Sequence, residues 1–235
     1  MAHERHGPMR YPTDQKELRA FMNLLWDNGL FLLKGAYYTL LITVVAMFFG
    51  LLIGIVVALA RLKGNLPVRW LARAYVSVVR GTPAFVQILI VYYGLVDYGI
   101  TLGPLTAAYV ALSINVGAYL SETFRGAILA IPKGQTEAAY ATGMTPWQAL
   151  RRIIFPQAAR VAIAPMGNTF IGMLKETSLV SVITVTELLR SAQLLVAQYY
   201  VYMPFYLGVA AMYWVMSTLF SAILEAIEKR LSKVY

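Results

Sequence analysis

Asn115, Tyr119 and Glu122 recur at steps of four and three within an otherwise apolar stretch. That spacing sets all three on one face of a helix. An ionisable group at membrane depth is costly and turns toward protein or water, so such a stripe suits a solute pathway. A plainer reading stands beside it, in which Glu122 lies near a membrane boundary and pairs with Arg125 one turn on. A second polar insert, Lys175-Glu176-Thr177-Ser178, interrupts another apolar run. Its adjacent opposite charges are either a structural pair inside a bundle or part of a water-filled cavity near mid-membrane. Catalysis has far less to work with. His3 and His6 both fall in the N-terminal tail, cysteine is absent, no H-E-x-x-H occurs, and Asp97 is the sole aspartate beyond Asp27. These absences argue against a membrane-embedded protease or lipid-modifying enzyme, whether it uses a nucleophile, a metal or an aspartyl pair. There is no G-x-x-x-x-G-K-[ST] loop either, so the chain lacks the phosphate cradle that ATP hydrolysis needs.

The elements that must position these residues are set by composition. Of 235 residues, 59% are hydrophobic and 13% charged, and the mean hydropathy is +0.63. That is too apolar for a soluble domain of this size and fits an all-α integral membrane protein. The formal charge of +9 does not point to nucleic acid, because most of the excess sits in short loops beside apolar runs, where basic residues fix topology. With no cysteine there is no disulfide framework and no thiolate zinc site.

Residues 1–12 form a polar tail that resembles neither a signal nor a transit peptide. Residues 13–28 read as an interfacial amphipathic helix, with Asp14 three residues before Glu17, apolar Leu18, Phe21, Met22 and Leu25 on one face, Trp26 as an anchor and Gly29 as the break. Residues 29–235 then form a single transmembrane domain. Its expected spans are 30–60, 75–96, 104–129, 161–185 and 203–227, the first with Lys34 snorkelling near its start. The second is kinked near its start by Arg80-Gly81-Thr82-Pro83. Arg61, Lys63, Arg69 and Arg73 follow span one, and Lys229, Arg230 and Lys233 follow span five, whereas the turn 97–103 has no Lys or Arg. Basic residues favour the cytoplasm, so five spans place the N-terminus outside and the C-terminus inside. The segment 186–202, with Glu187 and Arg190, is expected to be amphipathic and outside.

Between spans three and four lies a polar, turn-punctuated stretch, 132–156. Good helix formers in 135–142 are closed by Gly143, which tolerates a left-handed conformation. Thr145, Pro146 and Gln148 then have the spacing of a capping box with proline at the first helical position. Pro156 is expected to mark the next boundary. The result is a short cytoplasmic helix-turn-helix flanked by Arg151 and Arg152, with small residues Ala138 and Ala139 that would let another surface approach closely.

Glu137-Ala138-Ala139, Gly143, Ile153 and Pro156 are spaced in a way that resembles the EAA motif of bacterial ABC importer permeases, the loop that docks on the ATPase. SETFRGAILAIPKGQTEAA, ALRRIIFPQAAR, LKETSLVSVI and the RGTP at Arg80 to Pro83 are similar to the polar amino-acid subfamily, of histidine/glutamine/arginine type. The one departure is Phe155, where leucine is commoner. The resemblance spans about 30–231. It implies a permease in the bacterial cytoplasmic (inner) membrane that works as a pair, with itself or a related chain. An ABC ATPase dimer would serve each pair, with ATP and Mg on that partner and no cofactor on this chain, and an extracytoplasmic solute-binding protein would deliver substrate. ATPase coupling would fall to Glu137, Ala138, Ala139, Gly143, Arg151, Arg152 and Pro156. Substrate contacts would fall to Gln87, Asn115, Tyr119, Glu122, Lys175, Glu176 and Thr177, which offer acceptors for an ammonium and donors for a carboxylate. Two alternatives remain: the same scaffold carrying another small amine or opine-like solute, and an ion-coupled transporter with no ATPase.

Overall fold

The computed structural model describes residues 15–232, and every regular element among them is helical. Helix α1 (Gln15–Asp27) is separated from α2 (Gly29–Lys63) by Asn28, whose amide Nδ2 donates to the Leu24 carbonyl at 2.9 Å. Leu24 and Leu25 pack on the bundle while Met22 and Trp26 are exposed, so the predicted face is buried only in part. Asp14 and the tail before it lie outside the described residues, as does Lys233.

Helix α2 runs for 35 residues, more than the roughly 20 needed to cross a bilayer. Its buried positions include Gly35, Ala36, Ala46, Gly50, Gly54 and Ala58, a small-residue seam that admits a second backbone. That backbone is α5 (Pro104–Leu129), whose own buried face carries Ala107, Ala108, Ala111, Gly117 and Ala118. A Cβ on Gly50 would lie 2.2 Å from Val116 Cγ1 and one on Gly54 would lie 2.8 Å from Leu120 Cβ. The two helices therefore run side by side in the same direction. Helix α5 is less apolar than α2 because protein, rather than lipid, surrounds much of it.

Between them the chain bends more sharply than a kink. Helix α3 (Leu66–Gly81) starts on an Asn65 cap, whose side chain accepts from Val68 N, and stops where Thr82 and Pro83 take extended conformations. A proline disfavours helical geometry in the residue before it, which is why the break falls there. Helix α4 (Ala84–Tyr92) and a 3-10 turn (Gly94–Tyr98) then leave at 105° to α3. Much of the basic segment after α2 is thus helical.

Helix α6 (Lys133–Ala141) and α7 (Pro146–Ala149) form the helix-turn-helix. The chain does not end a helix at Pro156, contrary to the sequence expectation. A π turn over Leu150–Ile154 joins α7 to α8 (Phe155–Glu176), and a 3-10 turn (Thr177–Ile183) follows. Proline lacks an N–H and its ring crowds the carbonyl four residues back, and the wider π turn makes room for it. Helix α9 (Leu188–Tyr199) then packs on α2 and α10 (Met203–Ser232) around Leu32, Leu188, Leu195 and Phe205. The larger core joins Ile42, Ile88, Leu112, Leu120, Met173 and Ile183.

By length and apolarity alone, α2 and α10 can each cross a membrane. Two bent pairs, Leu66–Gly81 with Ala84–Tyr98 and Pro146–Ile183 with Leu188–Tyr199, pass the same test, the second bent by 47°.

Candidate functional site

The polar residues named from the sequence fall into three places. Gln87 and Asn115 meet at the α3–α4 break, where Asn115 Nδ2 donates to Gln87 Oε1 at 3.0 Å. The Gln87 amide in turn donates to the Val79 carbonyl at 2.8 Å, the Thr82 carbonyl at 3.2 Å and Thr82 Oγ1 at 2.8 Å. A helix end leaves carbonyls without intrahelical partners, and here a side chain from the next helix supplies donors. Both polar atoms of Gln87 are engaged within the chain, and buried Asn115 ties this bend to α5.

One turn further along α5, Tyr119 is half exposed and lies under the Arg80 guanidinium, 5.2 Å from ring centroid to Cζ. Glu122 follows. Its carboxylate pairs with Arg61 from α2 and Arg125 from α5, the latter at 2.8 Å, and Arg80 stands 3.9 Å away. The Arg125 pair is present, and two further cations from other helices share it. One negative charge among three guanidiniums leaves the local balance at +2, so this group holds α2, α3 and α5 together and favours anions around it.

Lys175, Glu176 and Thr177 sit where α8 passes into the 3-10 turn. Lys175 and Glu176 are exposed, and Thr177 is fully buried with its hydroxyl donating to the Leu174 carbonyl at 2.8 Å. Lys175 borders a cavity of about 690 Å³ lined chiefly by Tyr206, Val209, Tyr213 and Trp214.

Sequence reasoning missed the most deeply held acid. Glu187, expected on an outer amphipathic segment, is fully buried. Its carboxylate caps α9, accepting from Leu189 N at 2.9 Å and Arg190 N at 2.7 Å. It also accepts from Tyr213 Oη at 2.8 Å and, more weakly, from Thr39 Oγ1 at 3.5 Å. The Thr39 hydroxyl itself accepts from Leu188 N at 3.2 Å. One carboxylate thereby joins α2, α9 and α10, and its four donors offset the cost of burying a charge. Glu187→Ala strands those donors and is expected to cost about 3 kcal/mol, read as a lower unfolding midpoint in detergent; an unchanged midpoint would contradict the network. The sequence signal was slight, because glutamate is not among the strongly preferred capping residues.

The 132–156 stretch matches its local prediction at Gly143 and at the capping box, though not at Pro156. Gly143 has φ +80°, Met144 N donates to the Ala139 carbonyl at 3.1 Å and Gly143 N to the Tyr140 carbonyl at 2.9 Å, the pair of bonds that closes a helix with a left-handed residue. Thr145 and Gln148 form a reciprocal capping box, with Gln148 N to Thr145 Oγ1 at 3.3 Å and Thr145 N to Gln148 Oε1 at 2.9 Å. Ala139 is buried, whereas Glu137, Ala138, Arg151, Arg152 and Pro156 are exposed beside Tyr140 and Trp147. A surface of charge, small residues and aromatics is therefore presented outward. Among the described residues no group of three or more His, Cys, Asp or Glu is placed to hold a metal.

Two long parallel helices, a broken helix pair and a projecting capped loop define a membrane transport subunit. The chain belongs to the family described as binding-protein-dependent transport system inner membrane component, which matches residues 50–233. It is similar to the L-cystine transport system permease protein TcyB of Bacillus subtilis, at 44% identity over 85% of this chain and 86% of that one. It is also similar to the glutamine transport system permease protein GlnP of Escherichia coli, at 37% identity over 88% and 95% of the two chains. A crystal structure of an amino acid ABC transporter with histidines superposes with a TM-score of 0.83 at 37% identity, covering 94% of this chain and all of the other. The chain is thus an inner-membrane permease subunit, not an enzyme, and ATP hydrolysis and solute capture belong to partner proteins.

Proposed function

We propose that this permease moves polar L-amino acids inward by alternating access. The observation that carries the coupling half of this reading is the unbroken run of helix from Pro146 through α8 to Ile183, which makes the exposed loop and a span of the bundle one body. Packed helices shift as rigid units more readily than they deform. Glu137, Ala138, Ala139, Gly143, Arg151, Arg152 and Pro156 form the surface for the ATPase, which works as a dimer beneath a pair of permease chains, two copies or one with a relative. Five spans, carried by α2, the bent α3–α4 pair, α5, α8 and α10, put the N-terminus outside and the C-terminus in the cytoplasm. Residues 13–28 lie in the interface and the tail 1–12 precedes them.

The amino-acid assignment rests on the solutes in the relatives' names and on the chemistry of the polar residues. Half-exposed Tyr119 lines the path with buried Asn115 supporting it, Glu122 and its arginines bear on a substrate carboxylate, and exposed Lys175 and Glu176 contribute from the end of α8 with buried Thr177 beside them in sequence. Gln87 positions Asn115 through their mutual hydrogen bond. The test is uptake into proteoliposomes holding the chain with its ATPase and solute-binding protein, comparing labelled glutamine, cystine, arginine and an opine. Uptake of an amino acid that needs internal or external ATP on the ATPase side, and ignores an ion gradient, is the expected result. Uptake driven by an ion gradient without ATP would overturn the reading, and preference for the opine would move the substrate class.

A further inference from the structure

Helices α8 and α10 run antiparallel, and two contacts set their register. Gly167 lies against Leu224, and the Phe170 and Phe220 rings stand 4.9 Å apart between centroids. Counting on from these pairs, Lys175 comes level with about Val215, near the middle of the 30-residue α10, a helix able to cross a membrane. A lysine there stands at membrane depth, where an ionisable side chain faces protein or water and pairs with an opposite charge. Among the described residues the Lys175 side chain has no ion-pair or hydrogen-bond partner.

The cavity of about 690 Å³ that Lys175 borders is built mainly by α10. Tyr206, Tyr213 and Trp214 give it aromatic walls, and Ser217 adds a hydroxyl. That Oγ is buried and makes no hydrogen bond among the described residues, so it is left for whatever the cavity holds. Lys175 is the one charged residue among those that line the space. The nearby acid is withheld from it. Fully buried Glu187 accepts from Tyr213 Oη at 2.8 Å and from the backbone of α9, and this bond anchors a side chain that also lines the cavity.

We infer that Tyr206, Tyr213, Trp214 and Ser217 form a specificity wall for the solute opposite Lys175, and that Glu187 is the positioning residue that holds Tyr213 in it. The inference rests on the importer reading. The solute carboxylate pairs with Lys175, in surroundings where a charge pair is stronger than in water. Its ammonium lies against the aromatic rings, which attract cations, and Ser217 Oγ completes a hydrogen bond. With one cation and no carboxylate lining the space, a second positive charge on the solute is disfavoured, so neutral amino acids are preferred to arginine. Acyl chains would leave Lys175 and Ser217 unsatisfied, and a second copy of the chain could fill the cavity only by bringing an acceptor to each. A zwitterion meets both needs at once.

The chain contains no cysteine, so Ala210→Cys, at an exposed position in the cavity, gives one thiol in the full transporter in vesicles, its labelling read on this chain by mass. The expected result is faster reaction with an anionic methanethiosulfonate than with its cationic counterpart, a preference that Lys175→Gln removes. Glutamine and cystine are expected to protect the thiol at concentrations about tenfold below arginine. An unreactive thiol would mean that lipid or a second chain fills the cavity, and reaction that none of the three slows would leave it an empty recess; either result overturns the inference. Protection strongest with arginine would overturn the specificity. Tyr213→Phe and Glu187→Gln are each expected to raise the protecting concentration about fivefold. In a Tyr213→Phe background, Glu187→Gln is expected to lower the unfolding midpoint further while leaving protection unchanged; additive losses of protection would overturn the positioning role. ATP-driven glutamine uptake by the unsubstituted chain separates this inference from the importer reading. Uptake without protection upholds the importer and overturns the wall, whereas protection without uptake upholds the amino-acid site and counts against the importer.

Discussion

Gly54→Leu yields chain that inserts but does not keep a folded bundle after extraction into detergent. A Cβ at Gly54 would stand 3.1 Å from Ser121 N and 3.2 Å from the Leu120 carbonyl carbon as well as 2.8 Å from Leu120 Cβ. Backbone atoms cannot rotate aside, so a leucine must push α2 and α5 apart along their length. The same seam includes Gly50 and, from the other side, Gly117, where a Cβ would meet Ile53 Cβ at 2.9 Å. Separating the helices also opens the core around Ile42, Leu112 and Leu120, and a cost of at least about 3 kcal/mol is expected. Without water to drive apolar surfaces together, close packing is much of what holds membrane helices in register. Gly126→Leu is the control, since nothing lies within 4 Å of a Cβ there. Monodisperse yield and unfolding midpoint are the readouts. Wild-type values for Gly54→Leu would mean that α2 and α5 do not approach as described.

What the sequence could show, it showed where the cause was local. The capping box at Thr145, the left-handed turn at Gly143 and the break before Gly29 depend on neighbours within five residues, and each stands in the structure. The first span is recognisable because apolarity persists over its whole length. Glu187 was misplaced because its burial depends on Thr39, 148 residues away, and on Tyr213, 26 residues away; charge alone suggested the surface. The Arg80-Pro83 signal was correctly read as an interruption, but its angle is set by Gln87 bonding back to Val79 and by Asn115 holding Gln87, which no local propensity encodes. Gly50-Leu-Leu-Ile-Gly54 was a legible pattern of small residues four apart that went unused. Pro156 was over-read, because a π turn can absorb a proline that an α turn would not.

Gly143→Pro is expected to abolish co-purification of the ATPase while leaving insertion and the span packing intact. Proline holds φ near −65°, whereas this residue has φ +80°. The substitution also deletes the N–H that bonds the Tyr140 carbonyl at 2.9 Å. Together these changes are expected to cost about 3 kcal/mol or more, all of it within the loop. No heavy atom lies within 4 Å of a Cβ at this position, so backbone conformation is at stake and not crowding. Gly143→Asn is the companion variant, because asparagine tolerates the left-handed region; it is expected to retain most of the association. Transport in vesicles should follow the same order. Full ATPase association with Gly143→Pro would show that the turn does not present the docking surface.

The π turn at Leu150–Ile154 has a consequence for how a stroke arrives. Such a turn takes in about one residue more than an α turn, so the helical faces on its two sides are out of phase by about 100°. Trp147 is exposed before it, while Ala158 and Ala162 beyond it are seated against Ala127. A force applied to the loop and the reaction from α5 therefore act on different sides of one axis. Under the proposed coupling their combined effect is a torque, which turns α8 about its own length as well as displacing it along that length.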